Sequence, residues 1–422
     1  MRLLASITFL IGLLTTNASI ASTFWVAAAG GNTGDCRTAV GTSDPGIYVR
    51  TVSHGLSCAG LAGTAGGAGD TVIVKSGIYT ESLFDQIPSG SSWNAPFVLK
   101  CEMSRTCTIR AGNTAAISFN TPSRYIEVRG FIIDGENNSA SGGIDISQYT
   151  LGGHHDIRIV DNEIRAMGSM GIQASGASQF EILQNSIHDV GNVCGGNIGM
   201  CHGLYVGDRT SGWQIEGNVV YNSASYGIHI YGSDVSNHTV QNNITHNNGT
   251  AGVNGSGIIV GGPGMRVGQN ISYSNAYSGI QLSYSNCSGM LLYNNTTWNN
   301  NEVGIYDVNC FRTIIKNNLA IENAQGGIRL EGSAPTISHN LTTGTAAENF
   351  VNAAAGDFSL VPTSPAIRAG TPELDLNIVL PAAPNIGAFI LDQRSDSLDD
   401  GSRSTQTRIS SKARREVRAA AR

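Results

Sequence analysis

The chain has 422 residues, of which 53 are glycine and only 13% are charged, with a formal net charge of −6. That weakly acidic balance lacks the basic field a phosphate backbone requires, so no nucleic-acid partner is expected. The length would ordinarily imply two or three domains, but a solenoid escapes that rule because each repeat touches only its neighbours, and a glycine-rich composition suits a fold with many tight turns.

The N-terminus opens Met1-Arg2, runs through the apolar stretch Leu3 to Leu14 and reaches the small-x-small triplet Ser19-Ile20-Ala21. This pattern predicts a signal peptide over 1–21, a mature start near Ser22 and a secreted or periplasmic protein. No later stretch approaches the roughly 20 apolar residues that a spanning helix needs. Eight cysteines, an even set in an exported chain, favour disulfides. Sequence order pairs Cys36 with Cys58, Cys101 with Cys107, and Cys194 with Cys201, and the absence of any CxxC argues against zinc or redox chemistry.

Residues 22–68 form an N-terminal cap region, after which Gly69-Asp70-Thr71-Val72-Ile73-Val74 and Gly77-Ile78-Tyr79-Thr80-Glu81 read as the first coil of a repeat spanning 69–345. Two motifs alternate through it. The first is Gly followed by an aliphatic residue, at Gly143, Gly171, Gly203, Gly227, Gly257, Gly279, Gly304 and Gly327. The second is a short β-like run ending in Asn, at Asn162, Asn185, Asn218, Asn243, Asn270, Asn295, Asn318 and Asn340. Spacings of roughly 22 to 33 residues match one coil of an all-β, right-handed parallel β-helix. In the Gly strands the inward positions fall one and three residues after Gly, as at Ile228 and Ile230. The Asn residues are expected in left-handed turns, with their amides stacked from rung to rung. Cys287 lies eight residues before Asn295 and Cys310 eight before Asn318, so the register predicts a bond between them in adjacent rungs. Beyond Asn340, residues 346–394 are expected to form a C-terminal cap, with Asp357 to Leu360 and Ser364 to Ile367 over the last apolar rung. A basic, disordered tail is expected over 395–422.

The Gly69-Asp70-Thr71-Val72 entry, Asn294-Asn295-Thr296 and the closing Ser364-Pro365-Ala366-Ile367 resemble the secreted bacterial right-handed parallel β-helix proteins allied to pectate and alginate lyases. The resemblance runs from about Trp25 to Phe389, and it departs from the common closing motif at Arg368, where Asp is usual. It implies the fold. The scaffold itself carries lyases, hydrolases, epimerases and non-catalytic surface proteins.

Outward positions of a stacked strand form a column, here the residues two after each Gly: Asp145, Gln173, Tyr205, His229, Ile259, Gln281, Tyr306 and Arg329. Aromatic faces stack on sugar rings, while amides and Arg bind hydroxyls and carboxylates. With Tyr226, Tyr231 and His202 alongside, the column predicts a site on the rungs of Gly203 and Gly227. The coil before it is the longest and carries His188, Asp189 and a Gly-rich loop between Cys194 and Cys201. For β-elimination on a uronate glycan, His229 or His202 would be the base, because an imidazole titrates near neutrality; Tyr205 would be the acid, and Arg209 or Arg329 the carboxylate clamp. Gln173, Tyr226, Tyr231, Gln281, Tyr306 and Arg329 would bind the polysaccharide. The column lacks the paired carboxylates a hydrolase needs. Calcium, which many of the resembling lyases use, has only Asp156, Asp161 and Glu163 as a local donor group, and strand alternation is expected to split them. The expected function is a polysaccharide lyase on an acidic glycan. The alternatives are a non-catalytic glycan-binding or cell-surface protein, a glycosidase, or a C5-epimerase.

Overall fold

The computed structural model describes residues 21–28, 36, 49–61, 69–110, 112, 114–136, 142–147, 153–191, 193, 201–232, 234–250, 255–284, 286–374 and 383–388. The predicted signal peptide to Ile20, Cys194 and the basic tail lie outside them.

The chain winds through three parallel sheets, A, B and C, one strand of each per coil. A representative coil runs Thr239–Gln241 in A, Ile244–His246 in B and Ile258–Val260 in C, then returns to A at Arg266–Gly268. Successive rungs pair without slippage: Val240 opposite Val267, Thr245 opposite Ser272, Ile258 opposite Ile280. The fold is therefore the expected parallel β-helix, with the sheet B strand, which the two-motif reading merged with the Asn turn, as a third wall. Ile228, Ile230, Ile258, Val260, Ile280 and Leu282 fill the interior from C, facing Ile215, Val240, Val267 and Leu292 from A. Sheet B contributes small or polar inward residues, Val220, Thr245, Ser272 and Thr297, with the Thr245 hydroxyl donating to Ser272 Oγ at 2.9 Å.

That narrow B wall explains the Gly motif. Gly203 has no positive φ; a Cβ there would collide with Val220 and lie 2.7 Å from the Gly227 carbonyl of the next rung. Close approach between sheets, not left-handed geometry, sets these glycines.

The Asn ladder forms at the A-to-B corner, with one revision. The left-handed residue is the one before each ladder Asn: Asp161, Gln184, Gly217, Asn242, Gln269, Asn294, Asn317 and His339 all have positive φ. The ladder Asn itself is thereby turned inward. Asn243 Oδ1 accepts from both the backbone N–H (3.0 Å) and Nδ2 (2.9 Å) of Asn218, while its own Nδ2 donates to Asn270 Oδ1 (3.0 Å) and the Ile215 carbonyl (2.8 Å). A second amide ladder, Asn248, Asn275, Asn300 and Asn323, runs up the B-to-C corner.

The disulfides Cys36–Cys58, Cys101–Cys107 and Cys287–Cys310 are present, the last joining adjacent rungs at a Cα separation of 4.8 Å. Cys201 is also disulfide-bonded. At the N-terminal end, helix α1 (Val52–Leu61) buries Val52, Leu56 and Ala59 over the first coil, and the Glu81 carboxylate accepts its first two N–H groups at 2.7 and 2.9 Å. The C-terminal segment differs from expectation. Phe358 packs on Tyr273 (4.9 Å between centroids) and Trp298 (5.9 Å), which face outward from sheet B, so the segment buttresses the flank of the last coils. Ile328 and Leu330 of the last rung stay partly exposed, and Ile337 is 44% exposed. The segment joins the apolar cluster on the outer face of sheet B, in which Val219, Ile244, Ile271 and Leu319 are buried with Phe350, Phe358 and Ala366.

Replacing Asn243 by Ala removes the acceptor of the Asn218 backbone N–H and of one Nδ2 hydrogen, together with the Nδ2 bonds to Asn270 and the Ile215 carbonyl, leaving the Asn270 oxygen only the backbone N–H of residue 243. It should destabilise the protein by about 2 kcal/mol or more. The same change at half-buried Asn340, which ends the ladder, should cost clearly less. Denaturant unfolding of the two variants measures the difference.

Candidate functional site

Sheet C places the predicted column in one file: Asp145 opposite Gln173, then Tyr205, His229, Ile259, Gln281, Tyr306 and Arg329 on successive rungs. Tyr205 and His229 meet on adjacent rungs with ring centroids 5.3 Å apart. His202, at the strand entry below, brings Nε2 within 2.9 Å of His229 Nδ1. Tyr226 lies 4.8 Å from the His229 ring and 5.3 Å from His202, and Tyr231 lies 5.7 Å from His229. All five predicted side chains thus converge.

A sixth residue completes the group. Tyr284, in the turn after Ile280–Leu282, reaches back two rungs and sets its hydroxyl 2.9 Å from His229 Nε2, with its ring 4.5 Å from that of Tyr231. Its ring crosses the backbone at Gly261, where a Cβ would stand 2.6 Å from Tyr284 Cδ2. Gly207 makes similar room for Tyr205, since a Cβ there would lie 2.8 Å from its Cε1. Tyr284 lies in a turn beyond its strand, outside the columns two after and one before each Gly from which the site is expected. Its one trace in the sequence is the Gly261-Gly262 pair on the rung it crosses.

Burial changes the chemistry. His202 is fully buried and His229 only 6% exposed, beneath half-exposed Tyr205, Tyr226 and Tyr284 and exposed Tyr231. Desolvation pushes His202 down to about 3, and desolvation together with the His202 charge holds His229 well below the usual imidazole range. Both rings are therefore neutral near pH 7, and both nitrogens of His229 are engaged. The expectation of an imidazole titrating near neutrality does not fit this burial: the two histidines form a buried floor beneath tyrosine hydroxyls that lie nearer the surface. Burial also raises the phenols, Tyr226 to about 12 and Tyr284 further, the latter with contributions from neighbouring tyrosines.

The remaining predicted residues are distributed along the file. Arg209 sits in the turn after Leu204–Val206 with φ 59°, on the rung of Tyr205. Gln173 is half-buried one rung below Tyr205. Buried Ile259 separates His229 from a second polar stretch, in which Gln281 accepts from Ser256 Oγ at 3.0 Å, Arg329 stacks on Tyr306 at 5.2 Å and Arg329 donates to Gln325 at 2.9 Å. Arg329 is four rungs, ~19 Å, from His229 and cannot serve the same sugar residue.

His188 belongs elsewhere. It stacks on Tyr221 outside sheet B and bonds Asp189 at 2.7 Å, beginning a ring file that continues to His246 and Tyr273. The calcium donor group does not assemble: Asp156 bonds His155 and Trp93, Asp161 bonds Arg105 and Ser104, and Glu163 bonds Arg165 and His188. Among the described residues, the one close grouping of metal-type ligands is Cys36, His54 and Cys58, whose two sulfurs are joined to each other.

The family model described as "Right handed beta helix region" matches residues 101–260 and 208–360. Among solved structures the chain is similar to the pectate lyase Pel9A, at TM-score 0.66 and 16% identity, covering 87% of this chain and 96% of that one. It is also similar to a rhamnogalacturonan lyase, at TM-score 0.55 and 16% identity over 82% and 96% of the two chains. A third likeness is to the mannuronan C-5 epimerase A-module of Azotobacter vinelandii, at TM-score 0.50 and 20% identity over 61% and 70%. No curated protein sequence matches. At these identities the likeness is one of fold.

The buried imidazoles make stability pH-dependent. His154, His202, His229, His238 and His246 are all held below the usual imidazole value of 6.5, with desolvation as the leading cause. The unfolded chain therefore binds more protons below about pH 6.5, and each such group removes about 1.4 kcal/mol per pH unit until its folded pKa is reached. Burial lowers His188 but its bonds to Asp189 and Glu163 raise it overall, so its stabilisation is complete below about pH 6.5, is lost only as pH rises above that, and does not offset the acid-side loss. The melting temperature should fall steeply from pH 6.5 towards 4, as followed by circular dichroism.

Proposed function

The chain belongs to the right-handed β-helix family, and from that premise we propose that it is an exported polysaccharide lyase that cleaves a uronate-containing glycan by β-elimination. The observation that carries this reading is the convergence of four tyrosines over a hydrogen-bonded, neutral His229–His202 pair on an outward column. Such an elimination needs a group that exchanges protons at C5 and at the leaving glycosidic oxygen, and a cation against the carboxylate. Tyrosine hydroxyls backed by imidazole provide the first. Arg209, on the rung of Tyr205, is assigned the second. Rungs ~4.8 Å apart let Gln173 below, and Gln281, Tyr306 and Arg329 above, hold further sugar units of one chain. The lyases and the epimerase with the same architecture support a polysaccharide as substrate. The only carboxylate in the column is Asp145, which supports elimination over hydrolysis, since hydrolysis uses two carboxyl groups about 5 to 9.5 Å apart. Export is supported by the disulfides, which persist in oxidising compartments.

One observation favours a second reading. The imidazoles are buried and bonded to one another, as they would be in an aromatic platform that binds glycan without cleaving it. The two readings separate in one experiment. Incubated with pectate, alginate and other uronate polymers, the protein should generate the ultraviolet absorbance of an unsaturated uronate. Glycan binding by folded protein, with no absorbance change on any polymer, would remove the lyase reading and leave the platform.

A further inference from the structure

The conformation of Tyr284 is unusual for an aromatic residue. Its φ of 88° lies in the left-handed region, which costs a bulky side chain of the order of 1–3 kcal/mol and persists only where surrounding structure imposes it. Three features impose it. The Tyr284 carbonyl accepts the Cys287 N–H at 3.3 Å; Cys287 is tied to Cys310 on the next rung; and the missing side chain at Gly261 lets the ring lie flat across the intervening coil. Together they bring the hydroxyl to His229 Nε2. Packing alone would be served by phenylalanine, so the hydroxyl calls for its own account.

The proton order follows from the ends of the chain of bonds. Among the described residues, His202 Nδ1 is buried without a partner. A buried N–H left unpaired is rarer and costlier than an unpaired acceptor, so Nδ1 is assigned the lone pair and His202 Nε2 the hydrogen. His202 Nε2–H then donates to His229 Nδ1, and His229 Nε2–H donates to the Tyr284 oxygen. The Tyr284 hydrogen is left to turn outward, toward the space between Tyr226 and Tyr231.

We propose that Tyr284 is the catalytic residue that exchanges the proton with the glycan, and that His229, His202 and Gly261 are positioning residues that aim its hydroxyl and supply an N–H to its phenolate. The proposal rests on the lyase reading above. In the step, the C5–H electron pair becomes the C4=C5 π bond and the C4–O pair leaves on the glycosidic oxygen. That oxygen takes the Tyr284 proton, and the phenolate, held by His229 Nε2–H, takes the proton from C5. Tyr284 ends as it began, and no further reactant is consumed.

The test uses full-length protein and whichever uronate polymer yields the ultraviolet-absorbing product. Tyr284→Phe should lower kcat by about 10²- to 10⁴-fold, with KM and melting temperature little changed. Gly261→Ala, which keeps the phenol but pushes its ring and hydroxyl away from His229, should also lower kcat. At His229, the Gln variant, which retains an N–H, should keep more of kcat than the Leu variant at similar KM, an order that packing alone would not produce. Tyr284→Phe with wild-type kcat and a raised KM would overturn the assignment and leave the lyase reading standing. A wild-type protein inactive on every polymer would overturn both.

Discussion

From Asn162 to Asn340 each rung of this solenoid is locked to the next by a side-chain amide, and the architecture around the site depends on that lock. A ladder Asn oxygen takes two hydrogens from the rung before it, while its nitrogen reaches both the rung after it and a backbone carbonyl. Each amide is satisfied only when its neighbours keep register. A slip of one residue would orphan several buried polar groups at once, at about 1–3 kcal/mol for each. Eight such positions at one corner, and four more at the next, make the register far more costly to break than apolar stacking alone would.

A fixed register turns sequence spacing into spatial adjacency. Tyr205 and His229 are 24 positions apart in the chain, yet their rings lie 5.3 Å apart because Leu204 must sit opposite Ile228. The same rule brings Cys287 to Cys310. Small residues then carve local exceptions in the rigid frame. Gly203 and its equivalents let sheet C close against sheet B, whereas Gly207 and Gly261 clear paths for two tyrosine rings. A site built this way is held by strands and not by loops, which suits chemistry that depends on placing one hydroxyl.

Much of this was legible in the residues because period and stacking are linear properties. The outward column, the first Asn ladder and the Cys287–Cys310 bond all follow from counting between equivalent positions. The second Asn ladder was equally countable, five residues beyond the first at Asn248, Asn275, Asn300 and Asn323, but it was hidden because sheet B was not separated from the turn before it. Two features were not legible. The role of Tyr284 depends on a turn folding back over two coils, which no repeat position encodes. The neutrality of His202 and His229 depends on what covers them, and outward position on a strand had implied solvent where the structure supplies aromatic rings. The C-terminal segment differed for a related reason: the outward apolar residues of sheet B, such as Tyr273 and Leu319, lie on the side of the solenoid, and Phe350 and Phe358 cluster with them there.

Proton exchange at Tyr284 requires the buried imidazole pair to be a neutral, directional support for the hydroxyl above it. Nitrogen-15 magnetic resonance of the ring nitrogens of His202 and His229, followed through the range around pH 6.5 where free imidazole titrates, tests this directly. The prediction is that both rings stay neutral throughout, each with its hydrogen on Nε2, and that Tyr284→Phe perturbs His229 Nε2. Titration of either ring near 6.5, or a hydrogen on His229 Nδ1, would contradict it.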